Sequence, residues 1–428
     1  MKNIFHSIVT VAFAFTVGNG NALFAQFGGG NGTATNPYEI HNKAHFNLLT
    51  DSVNNSKSSP NNWSYGKHFK LMNNITDTVK TVIGSDMGNN RYFEGNFNGN
   101  GFKIVLDIID TQSNNVGLFR VVKNADISNV TVEGYVKGSC RVSGIVGYAD
   151  GTSTIIQNCI NNCNVTGIRI SSHNCAQYVS GILGYGINWT IENCINNGKI
   201  LVNTTYINGH GVGGGIAGSS SDGKIVNCTN TGEISSASIL KNDRIGGIIG
   251  QFYNTIIENC INSGKVSGDS SVGGICGRNS AYNSKIINCL NIGDIKGNSS
   301  IGGISGGSVS SSSPLEIENC VNSGLIIGTD EVGGIVGHLI QGRVSNCING
   351  GVVIGNTNVG GIIGYKTASG TVVSNCHYDK QMCIYGGINN ADVTGQAVGY
   401  LTNEMTGTQL QSKLGTANFT YSKTKLIQ

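Results

Sequence analysis

Charged side chains are scarce in this sequence: they make up 12% of its 428 residues, and the formal net charge is only +3. That balance excludes the strongly basic surface that nucleic acids and anionic membranes require. Proline occurs only 3 times, which excludes a collagen-like chain despite the 64 glycines. No apolar run after the first 25 residues approaches the roughly 18 residues that a membrane-spanning helix needs. With 39% hydrophobic residues, the chain is also too apolar to be disordered.

Residues 1–25 have the pattern of a secretory signal peptide. Lys2 supplies the positive charge, the stretch from Ile8 to Val17 is a short apolar segment, and Ala25 provides a small residue before a cleavage position at Gln26. No cysteine follows that position, so a bacterial lipid anchor is not expected. We therefore expect a secreted or cell-surface protein with no transmembrane segment after signal removal.

An internal repeat is the strongest signal in the sequence. An Asn-Cys pair recurs eight times at intervals of 27 to 35 residues, and a block of the type V-G-G-I-x-G lies between successive pairs. The block at Val212–Gly218 carries one extra glycine. The repeated pairs are Asn158 and Cys159, Asn193 and Cys194, Asn227 and Cys228, Asn259 and Cys260, Asn288 and Cys289, Asn319 and Cys320, Asn346 and Cys347, and Asn375 and Cys376.

The repeat predicts an all-β solenoid. Each unit holds three short strand-forming pieces bounded by glycine or asparagine turns, and one such coil can bury its inner face only by stacking on the next. We expect a single-stranded parallel β-helix of about nine coils with a cap at each end. Residues 26–110 form the N-terminal cap and first strands, residues 111–376 the repeats, and residues 377–428 the C-terminal cap. A helix is expected over Ala44 to Val53 and another over Thr402 to Leu414.

Three positions of the unit have predicted roles. The isoleucine two residues before each Asn-Cys pair, such as Ile257, and the isoleucine of the V-G-G-I-x-G block should face the core. The asparagines should form bends, because asparagine tolerates the left-handed backbone region and its amide can bond to neighbouring coils. Paired glycines should mark sharp corners or close approach of strands.

The repeated cysteines should remain reduced, although secretion and 13 cysteines would ordinarily indicate a disulfide framework. Equivalent Cβ atoms on stacked coils lie roughly 4.8 Å apart, whereas a disulfide requires about 3.8 Å. We expect these thiols to act as small buried hydrophobic groups. The first candidate for a disulfide is Cys163–Cys175. The cysteines outside the repeat are Cys140, Cys163, Cys175, Cys276 and Cys383.

Several motifs, taken in order, resemble those of bacterial GLUG-motif proteins. They are N-P-Y-x-I around Tyr38, F-x-G-x-F-x-G-N-G from Phe93, G-L-F at Gly117, the G-G-I-x-G blocks, and N-C-x-Y-D from Asn375. The resemblance spans roughly residues 30–420 and implies an exported, right-handed β-helix. The motif also occurs in adhesins and in non-catalytic parts of immunoglobulin-A-specific metallopeptidases, so the resemblance implies a surface interaction role and no peptidase activity.

Three groups of residues approach catalytic or metal-binding patterns without matching one. His41 and His45 have the i, i+4 spacing of a zinc-peptidase helix but lack its glutamate. Glu192, Glu258 and Glu318 occupy equivalent positions two coils apart, ~10 Å, which is too far for a close carboxylate pair. We therefore predict no catalytic, cofactor-binding or metal-binding residues. The third group, a zinc-like set with irregular spacing, comprises Cys159, Cys163, His173 and Cys175.

Aromatic residues in the variable loops are the candidate ligand contacts. They could stack on sugar rings or contact a protein, and they could equally be ordinary packing residues. The candidates are Trp189, Tyr206, Phe252, Tyr253 and Tyr282.

The sequence favours a non-enzymatic, adhesin-like β-solenoid that presents loops for adhesion or for contact with extracellular matrix or another ligand. The alternative is a carbohydrate-active β-helix enzyme of lyase or hydrolase type, which would need several carboxylate or basic side chains converging in one groove. A third interpretation, suggested by the abrupt C-terminus, is a secreted fragment of a larger surface protein. The expected partner is an extracellular protein or glycan, and neither a cofactor nor a nucleic acid is expected.

Overall fold

The protein is a stack of parallel strands wound into an all-β solenoid, as seen in a computed structural model that describes residues 26–405 except 87, 170–174, 205–209, 238–241, 282–283, 309–313 and 368–369. The solenoid has about 11 turns, not nine. The extra turns lie at the N-terminal end. Strands Tyr38–Ile40, His68–Leu71 and Asn96–Asn98 already stack in register with the later coils, although they lack the Asn-Cys signature. The predicted signal peptide, residues 1–25, lies outside the described residues.

Three sheets form the sides of the solenoid. The first sheet contains the strands Tyr38–Ile40, His68–Leu71, Asn96–Asn98, Phe119–Lys123, Asp126–Ser128, Val146–Asp150, Thr154–Gln157, Leu183–Glu192, Ala217–Val226, Ile249–Tyr253, Ile256–Glu258, Cys276–Ala281, Ser284–Ile287, Ser305–Ser308, Leu315–Glu318, Val336–Leu339, Gly342–Ser345, Ile363–Lys366 and Thr371–Ser374. The second sheet contains Asn115–Val116, Arg141–Ser143, Gln177–Ser180, Gly211–Gly214, Arg244–Gly246, Ser270–Gly273, Ser299–Gly302, Asp330–Gly333 and Thr357–Gly360. The third sheet contains Ile75–Val79, Lys103–Asp110, Thr131–Gly138, Ile160–Arg169, Ile195–Asn196, Ile200–Thr204, Thr229–Asn230, Ile234–Ser236, Ile261–Asn262, Val266–Ser267, Leu290–Asn291, Ile295–Lys296, Val321–Asn322, Ile326–Ile327, Ile348–Asn349, Val353–Ile354, Cys376–Asp379 and Ala397–Tyr400.

An α-helix over Lys43–Asn54 covers the N-terminal end, which confirms the helix expected over Ala44 to Val53. The Asn42 side chain caps it by accepting a hydrogen bond from the His45 amide. The helix buries Phe46, Leu49 and Val53 against the first coils. No helix of the described residues is both long and apolar enough to cross a membrane.

The C-terminal end departs from the repeat. Strand Cys376–Asp379 pairs in parallel with Ala397–Tyr400, and a single 3-10 turn over Thr402–Met405 follows. The helix expected over Thr402 to Leu414 is therefore a 3-10 turn where the structure describes it, and its remainder lies outside the described residues.

The isoleucines face the core as predicted. Ile191, Ile257 and Ile317, each two residues before an Asn-Cys pair, are fully buried, and so are Ile248 and Ile275 of the V-G-G-I-x-G block. These side chains form continuous apolar files, because equivalent residues of successive coils are register partners. Burial of such files supplies the main driving force for stacking.

The Asn-Cys repeat forms two neighbouring files. All eight asparagines have φ between 50° and 54°, so each forms a left-handed bend before a third-sheet strand. The eight cysteines are free and buried. Their thiols donate to backbone carbonyl groups, as from Cys228 Sγ to Val226 O at 3.3 Å. Burial raises the pKa of Cys159, Cys194 and Cys228, so these thiols stay protonated.

A second file of asparagines, two residues after seven of the eight repeated cysteines, lies inside the solenoid; Tyr378 holds this position after Cys376. Because side chains alternate along a strand, an inward cysteine places the next residue outward and this asparagine inward. Each Nδ2 donates at 2.9–3.1 Å to a carbonyl group of its own coil. Six further Nδ2–Oδ1 bonds of 2.7–2.8 Å connect successive coils, so the amides form one buried ladder. Its members are Asn161, Asn196, Asn230, Asn262, Asn291, Asn322 and Asn349.

The glycine immediately before the isoleucine of the block lies against this asparagine ladder in seven coils, and in the last block the equivalent Gly361 lies against Tyr378. A Cβ atom on Gly274 would lie 2.4 Å from Asn291 Oδ1 and 2.2 Å from the Gly303 carbonyl oxygen of the next coil. The φ of Gly274 lies outside the left-handed region, so close packing, and not backbone conformation, requires glycine there. In the irregular block, Gly213 occupies the position that Val179 holds in the preceding coil.

The disulfide expected between Cys163 and Cys175 is wrong. Cys175 is bonded to Cys140 instead, with a Cα–Cα distance of 5.9 Å. Both of these residues lie just before second-sheet strands of adjacent coils, whereas Cys163 faces the core from a third-sheet strand, opposite Gly134. Cys163 is free and buried, and so are Cys276 and Cys383.

The thiol arrangement predicts the outcome of an alkylation experiment. The native protein should react little, because all 11 free cysteines are buried. Denatured but unreduced protein should take up about 11 equivalents, and reduction should expose two more from Cys140 and Cys175. Mass spectrometry of the alkylated protein counts these groups. Fewer than eight equivalents before reduction would mean that the repeated cysteines are oxidised.

Candidate ligand-binding site

A cleft of about 1480 Å³ opens at the N-terminal end of the solenoid. One wall is a face of the helix Lys43–Asn54, and the other is a group of aromatic rings. The volume is sufficient for a ligand of several rings. The cleft therefore places aromatic and polar side chains around one space.

Three aromatic side chains form the first wall. The ring of Tyr38 lies 4.6 Å from that of Phe27 and 6.0 Å from that of Trp63, and the planes of Tyr38 and Trp63 differ by only 12°. All three rings are partly exposed, and they pack on the buried Phe69. The Lys67 ammonium group lies 3.8 Å from the centre of the Trp63 ring, and burial lowers its pKa. This wall is an aromatic surface with one cation beside it.

The helix supplies the opposite wall through residues spaced as one helical stripe. Asn47 and Leu48 are half-buried, and Asp51 and Asn55 are exposed. The opposite face of the same helix is buried in the core, so its packing fixes the direction of this stripe. The lining positions on the helix are Ala44, Asn47, Leu48, Asp51, Ser52 and Asn55.

Two local structures hold the aromatic wall in place. The glycine-rich segment before Tyr38 folds back on its strand through hydrogen bonds from the Gly28 amide to Glu39 O and from the Glu39 amide to Gly29 O. Gly30 has a φ of 77°, and a Cβ there would collide with Pro37 O. This fold places Phe27 against Tyr38.

The loop that carries Trp63 is anchored by the buried carboxylate of Glu94. Glu94 accepts hydrogen bonds from Ser59 Oγ at 2.7 Å and from the Asn62 amide at 3.0 Å. The Ser64 hydroxyl accepts a hydrogen bond from the Glu94 backbone amide at 2.9 Å. Because both sides of Trp63 are tied to Glu94, its ring is oriented before any ligand arrives.

Carboxyl groups are few in the described lining of the cleft. Asp51 is the one carboxylate among the described residues that line it. A glycosidase ordinarily needs two carboxyl groups about 5–9.5 Å apart. Aromatic faces with nearby amides instead match a site that holds a neutral, partly apolar ligand.

Two of the five predicted contact residues are core residues. Trp189 lies in strand Leu183–Glu192 and is 3% exposed, and Phe252 lies in strand Ile249–Tyr253 and is fully buried. The prediction that they lie in variable loops is wrong, because the strands continue through both positions. The Trp189 ring fills the space above Gly186 and Gly223.

The other three predicted contacts have different outcomes. Tyr253 is half-buried on the outside of the solenoid and accepts a hydrogen bond from Gln251. Tyr206 and Tyr282 lie outside the described residues. None of the three described residues, Trp189, Phe252 and Tyr253, lines the N-terminal cleft.

The residues that resemble metal-ligand patterns in the sequence do not come together as a metal site where the structure describes them. His41 Nε2 lies 2.9 Å from Glu39 Oε2, and His45 Nδ1 accepts a hydrogen bond from the His41 backbone amide. Burial, followed by the neighbouring His41, lowers the pKa of His45. Cys175 is in the disulfide, and His173 lies outside the described residues. Among the described residues, no group of three or more His, Cys, Asp or Glu side chains could hold a metal ion.

The glutamate positions confirm the predicted separation. Val226 is the register partner of both Glu192 and Glu258, and Ile287 is the register partner of both Glu258 and Glu318. Each glutamate is therefore two coils from the next. Glu258 forms an ion pair with Lys224 at 3.7 Å. These side chains are part of an ordinary solvated face.

One polar cluster has the residue types of a hydrolase triad in the wrong order. Glu331 lies between its two partners, 3.0 Å from His338 Nδ1 and hydrogen-bonded to Ser300 Oγ. In a triad the histidine must contact the serine to remove its proton. Partial burial acts to raise the pKa of Glu331, but the bonds from His338 and Ser300 outweigh it and lower that pKa. The cluster is therefore a structural one.

The comparisons with known proteins are sparse. No protein-family model matches the sequence. A "Putative Gly-rich membrane protein" of Evansella cellulosilytica is 34% identical over 137 residues, which is 30% of this chain and 15% of that protein. Halomucin of Haloquadratum walsbyi is 27% identical over 174 residues, which is 33% of this chain and 2% of halomucin. This chain thus matches only a small part of the length of both relatives.

One solved structure is similar in its chain path. It is the crystal structure of a "putative immunoglobulin A1 protease" from Bacteroides ovatus. The match covers 71% of this chain and 80% of the other, with 20% sequence identity and a TM-score of 0.45.

Proposed function

We propose that this protein is an exported, non-enzymatic β-solenoid of the GLUG-motif type that binds an extracellular glycan in its N-terminal cleft. Export rests on the signal-peptide pattern of residues 1–25. The names of the two sequence relatives, a Gly-rich membrane protein and halomucin, are consistent with a surface location. The single observation that carries the binding role is the aromatic wall of Phe27, Tyr38 and Trp63 facing the polar helix stripe.

The chemistry of the cleft favours a neutral sugar. The apolar C–H face of a sugar ring can pack on an exposed aromatic ring, while its hydroxyl groups bond to amide and carboxylate side chains. Asn47 and Asp51 lie across the cleft from Trp63 and can provide such bonds. Adhesion through this cleft is the cellular role that we propose.

Replacing Trp63 by alanine tests the proposal. On a glycan array the mature chain should bind a defined set of neutral glycans, and Trp63→Ala should weaken that binding at least about tenfold, because it removes the largest stacking surface. Tyr65→Ala is the matched control. Tyr65 is 61% exposed, only two residues away, and does not line the cleft. This control should bind like the wild type.

A second variant separates loss of the site from loss of folding. Ala44 is an exposed helix residue that lines the cleft, so Ala44→Trp should fill the cleft without removing any core contact. This variant should keep the wild-type unfolding temperature and lose glycan binding. Binding of no glycan by the wild type, or unchanged binding by both variants, would contradict the proposal.

The enzymatic alternative predicts turnover of the bound glycan. Incubation of the protein with its array ligand should release no reducing ends, because a second carboxylate is absent from the described lining of the cleft. The binding role also predicts that no unsaturated sugars are released. Product release that disappears in Asp51→Asn would replace the binding role with an enzymatic one.

A further inference from the structure

A band of arginine and tyrosine side chains runs along the outside of the solenoid, far along the chain from the N-terminal cleft. It is built from two files: the residue before the V-G-G-I-x-G block and the residues that follow that block. In its first coils the Arg141 guanidinium carbon lies 4.9 Å from the ring centre of Tyr148 and 5.4 Å from that of Tyr185. The arginine–tyrosine band comprises Arg141, Tyr148, Tyr178, Tyr185, Arg244, Tyr253 and Arg278.

The tyrosines form a stack with fixed hydroxyl groups. The rings of Tyr148 and Tyr185 are 5.6 Å apart and differ by 5° in orientation, and Tyr178 stacks on Tyr185 at 5.3 Å. Burial, and then nearby Asp150, raises the pKa of Tyr148 to about 12, and burial also raises the pKa of Tyr178 and Tyr185. All three phenols therefore remain neutral at physiological pH. Tyr148 is only 4% exposed, so the half-buried Tyr178 and Tyr185 are the donors that the band offers to a ligand.

The arginines carry positive charge without a carboxylate partner. The Nε atoms of Arg141, Arg244 and Arg278 are buried and have no hydrogen-bond partner among the described residues. Arg141 donates to the amide of Asn115, and Arg244 donates to the amide of Gln251, which are both neutral. Within the described ranges, no ion pair joins any of the three arginines to an acidic side chain.

Elsewhere on the same solenoid some basic side chains are paired with carboxylates, including the largely buried Arg120. Arg120 contacts Asp110 at 2.8 Å and Asp86 at 3.8 Å. Lys224 and Lys285 each form an ion pair with a glutamate. A partly buried charge without a counter-charge is costly for the folded protein. The contrast indicates that the counter-charge of the band comes from outside this chain.

The positive charges are also mutually repulsive. Burial, followed by the like charge of Arg244, lowers the pKa of Arg278 to about 10. Burial likewise lowers the pKa of Arg244. Asp222, whose charge raises the pKa of Tyr185, is bonded to Asn254 and Ser221, and among the described residues it forms no ion pair with the three arginines.

The length of the band indicates a polymer. Arg141 is three register steps from Arg244, through Tyr178 and Val212, and Arg278 lies one coil further on. Four coil steps correspond to ~19 Å along the axis. One small anion cannot contact all three arginines over that distance.

We propose that the arginine–tyrosine band binds an anionic polysaccharide, with carboxylate or sulfate groups on the arginines and sugar hydroxyl groups on the tyrosine phenols. A peptide is less suitable, because sheets bind peptides through free backbone edges and the strands of the band are paired on both sides. The band is separate from the proposed glycan cleft in its residues and in the charge of its ligand.

Binding of defined polymers tests the band. Polygalacturonate and heparin should bind the mature chain, neutral dextran should not, and added salt should weaken the interaction. Arg244→Gln combined with Arg278→Gln should weaken binding of both polyanions at least about tenfold. The matched control, Lys224→Gln combined with Lys285→Gln, removes two positive charges outside the band and should bind within about twofold of the wild type.

Stability measurements guard against an unfolded variant. The arginine double variant without ligand should unfold at the wild-type temperature or above it, because it loses unpaired charge. Polygalacturonate should raise the unfolding temperature of the wild type and not of the variant. Trp63→Ala should leave polygalacturonate binding unchanged, so failure of the cleft and failure of the band are distinguishable.

Three results would overturn the assignment of the band. They are equal polyanion binding by the wild type and the arginine double variant, equal loss in the lysine control, and binding of poly-L-glutamate as tight as that of the polysaccharides. The last result would mean that the band recognises charge alone and that the ligand class is wrong.

Discussion

Gly274→Ala should destabilise the solenoid by at least about 3 kcal/mol. The added methyl group would lie 2.2 Å from the Gly303 carbonyl oxygen and 2.3 Å from Asn291 Cγ. Neither atom can move freely, because the first belongs to paired backbone and the second to the asparagine ladder. Overpacking of a rigid core typically costs 1–3 kcal/mol, and collision with backbone places this case at the upper end. Urea unfolding followed by circular dichroism measures the loss.

Gly350→Ala is the matched control for that substitution. Gly350 is exposed, and a Cβ there would meet only one atom, Asn322 O, at 4.0 Å. Its effect should stay within about 0.5 kcal/mol of the wild type. Equal stability of the two variants would contradict the close packing of glycine against the asparagine ladder.

Asn262→Leu should have a comparable effect for a different reason. The leucine has a similar size, but it leaves three buried groups without their partner: Asn230 Nδ2, Asn291 Oδ1 and the Gly264 carbonyl oxygen. Each buried polar group that loses its hydrogen bond lowers the free energy of unfolding by about 1–3 kcal/mol, so a total loss of at least about 3 kcal/mol is expected. Hydrogen exchange should show faster opening of the coils on both sides of the substitution.

Asn259→Gly in the same coil is the control for the ladder. Asn259 is exposed and has a φ of 54°, a conformation that glycine adopts without strain. The substitution removes one exposed bond from Asn288 at 3.2 Å and should cost less than about 1 kcal/mol. A loss at Asn259 as large as the loss at Asn262 would show that the two asparagine files have the same role.

The coil register was predictable because it depends on local, repeated chemistry. Each Asn-Cys pair marks one left-handed bend and one inward thiol, so the spacing of the pairs defines the coils. The earliest coils were not counted because Tyr38, His68 and Asn96 begin strands with no repeated motif.

The buried asparagine ladder was within reach of the sequence and was not predicted. Strand alternation after an inward cysteine places Asn262 inward as well. A polar residue is ordinarily expected outside, and only the stacking of identical amides satisfies it in the core. The purpose of the glycine before the isoleucine of the block depends on the same ladder, so it was missed for the same reason.

The candidate site depends on contacts that no repeat encodes. Phe27, Tyr38 and Trp63 are separated in the sequence and meet only because the glycine-rich segment folds back and Glu94 holds the Trp63 loop. The N-terminal segment also contains Phe46, Phe69, Phe93 and Phe97, which are buried core residues, so the sequence alone does not separate cleft aromatics from packing aromatics. Trp189 attracted attention instead, because its strand runs through a segment that resembles a variable loop.

Distances between equivalent positions of successive coils test the central claim, the in-register stack, most directly. Spin labels on unnatural amino acids leave the 13 cysteines untouched. One label at Lys199 can be paired in separate variants with Asp294, Leu325 or Val352, which follow it by three, four and five register steps. Double electron–electron resonance should give backbone separations of about 14, 19 and 24 Å, rising by one coil spacing each time. Distances that do not rise in equal steps of about 4.8 Å would contradict the stack and the account built on it.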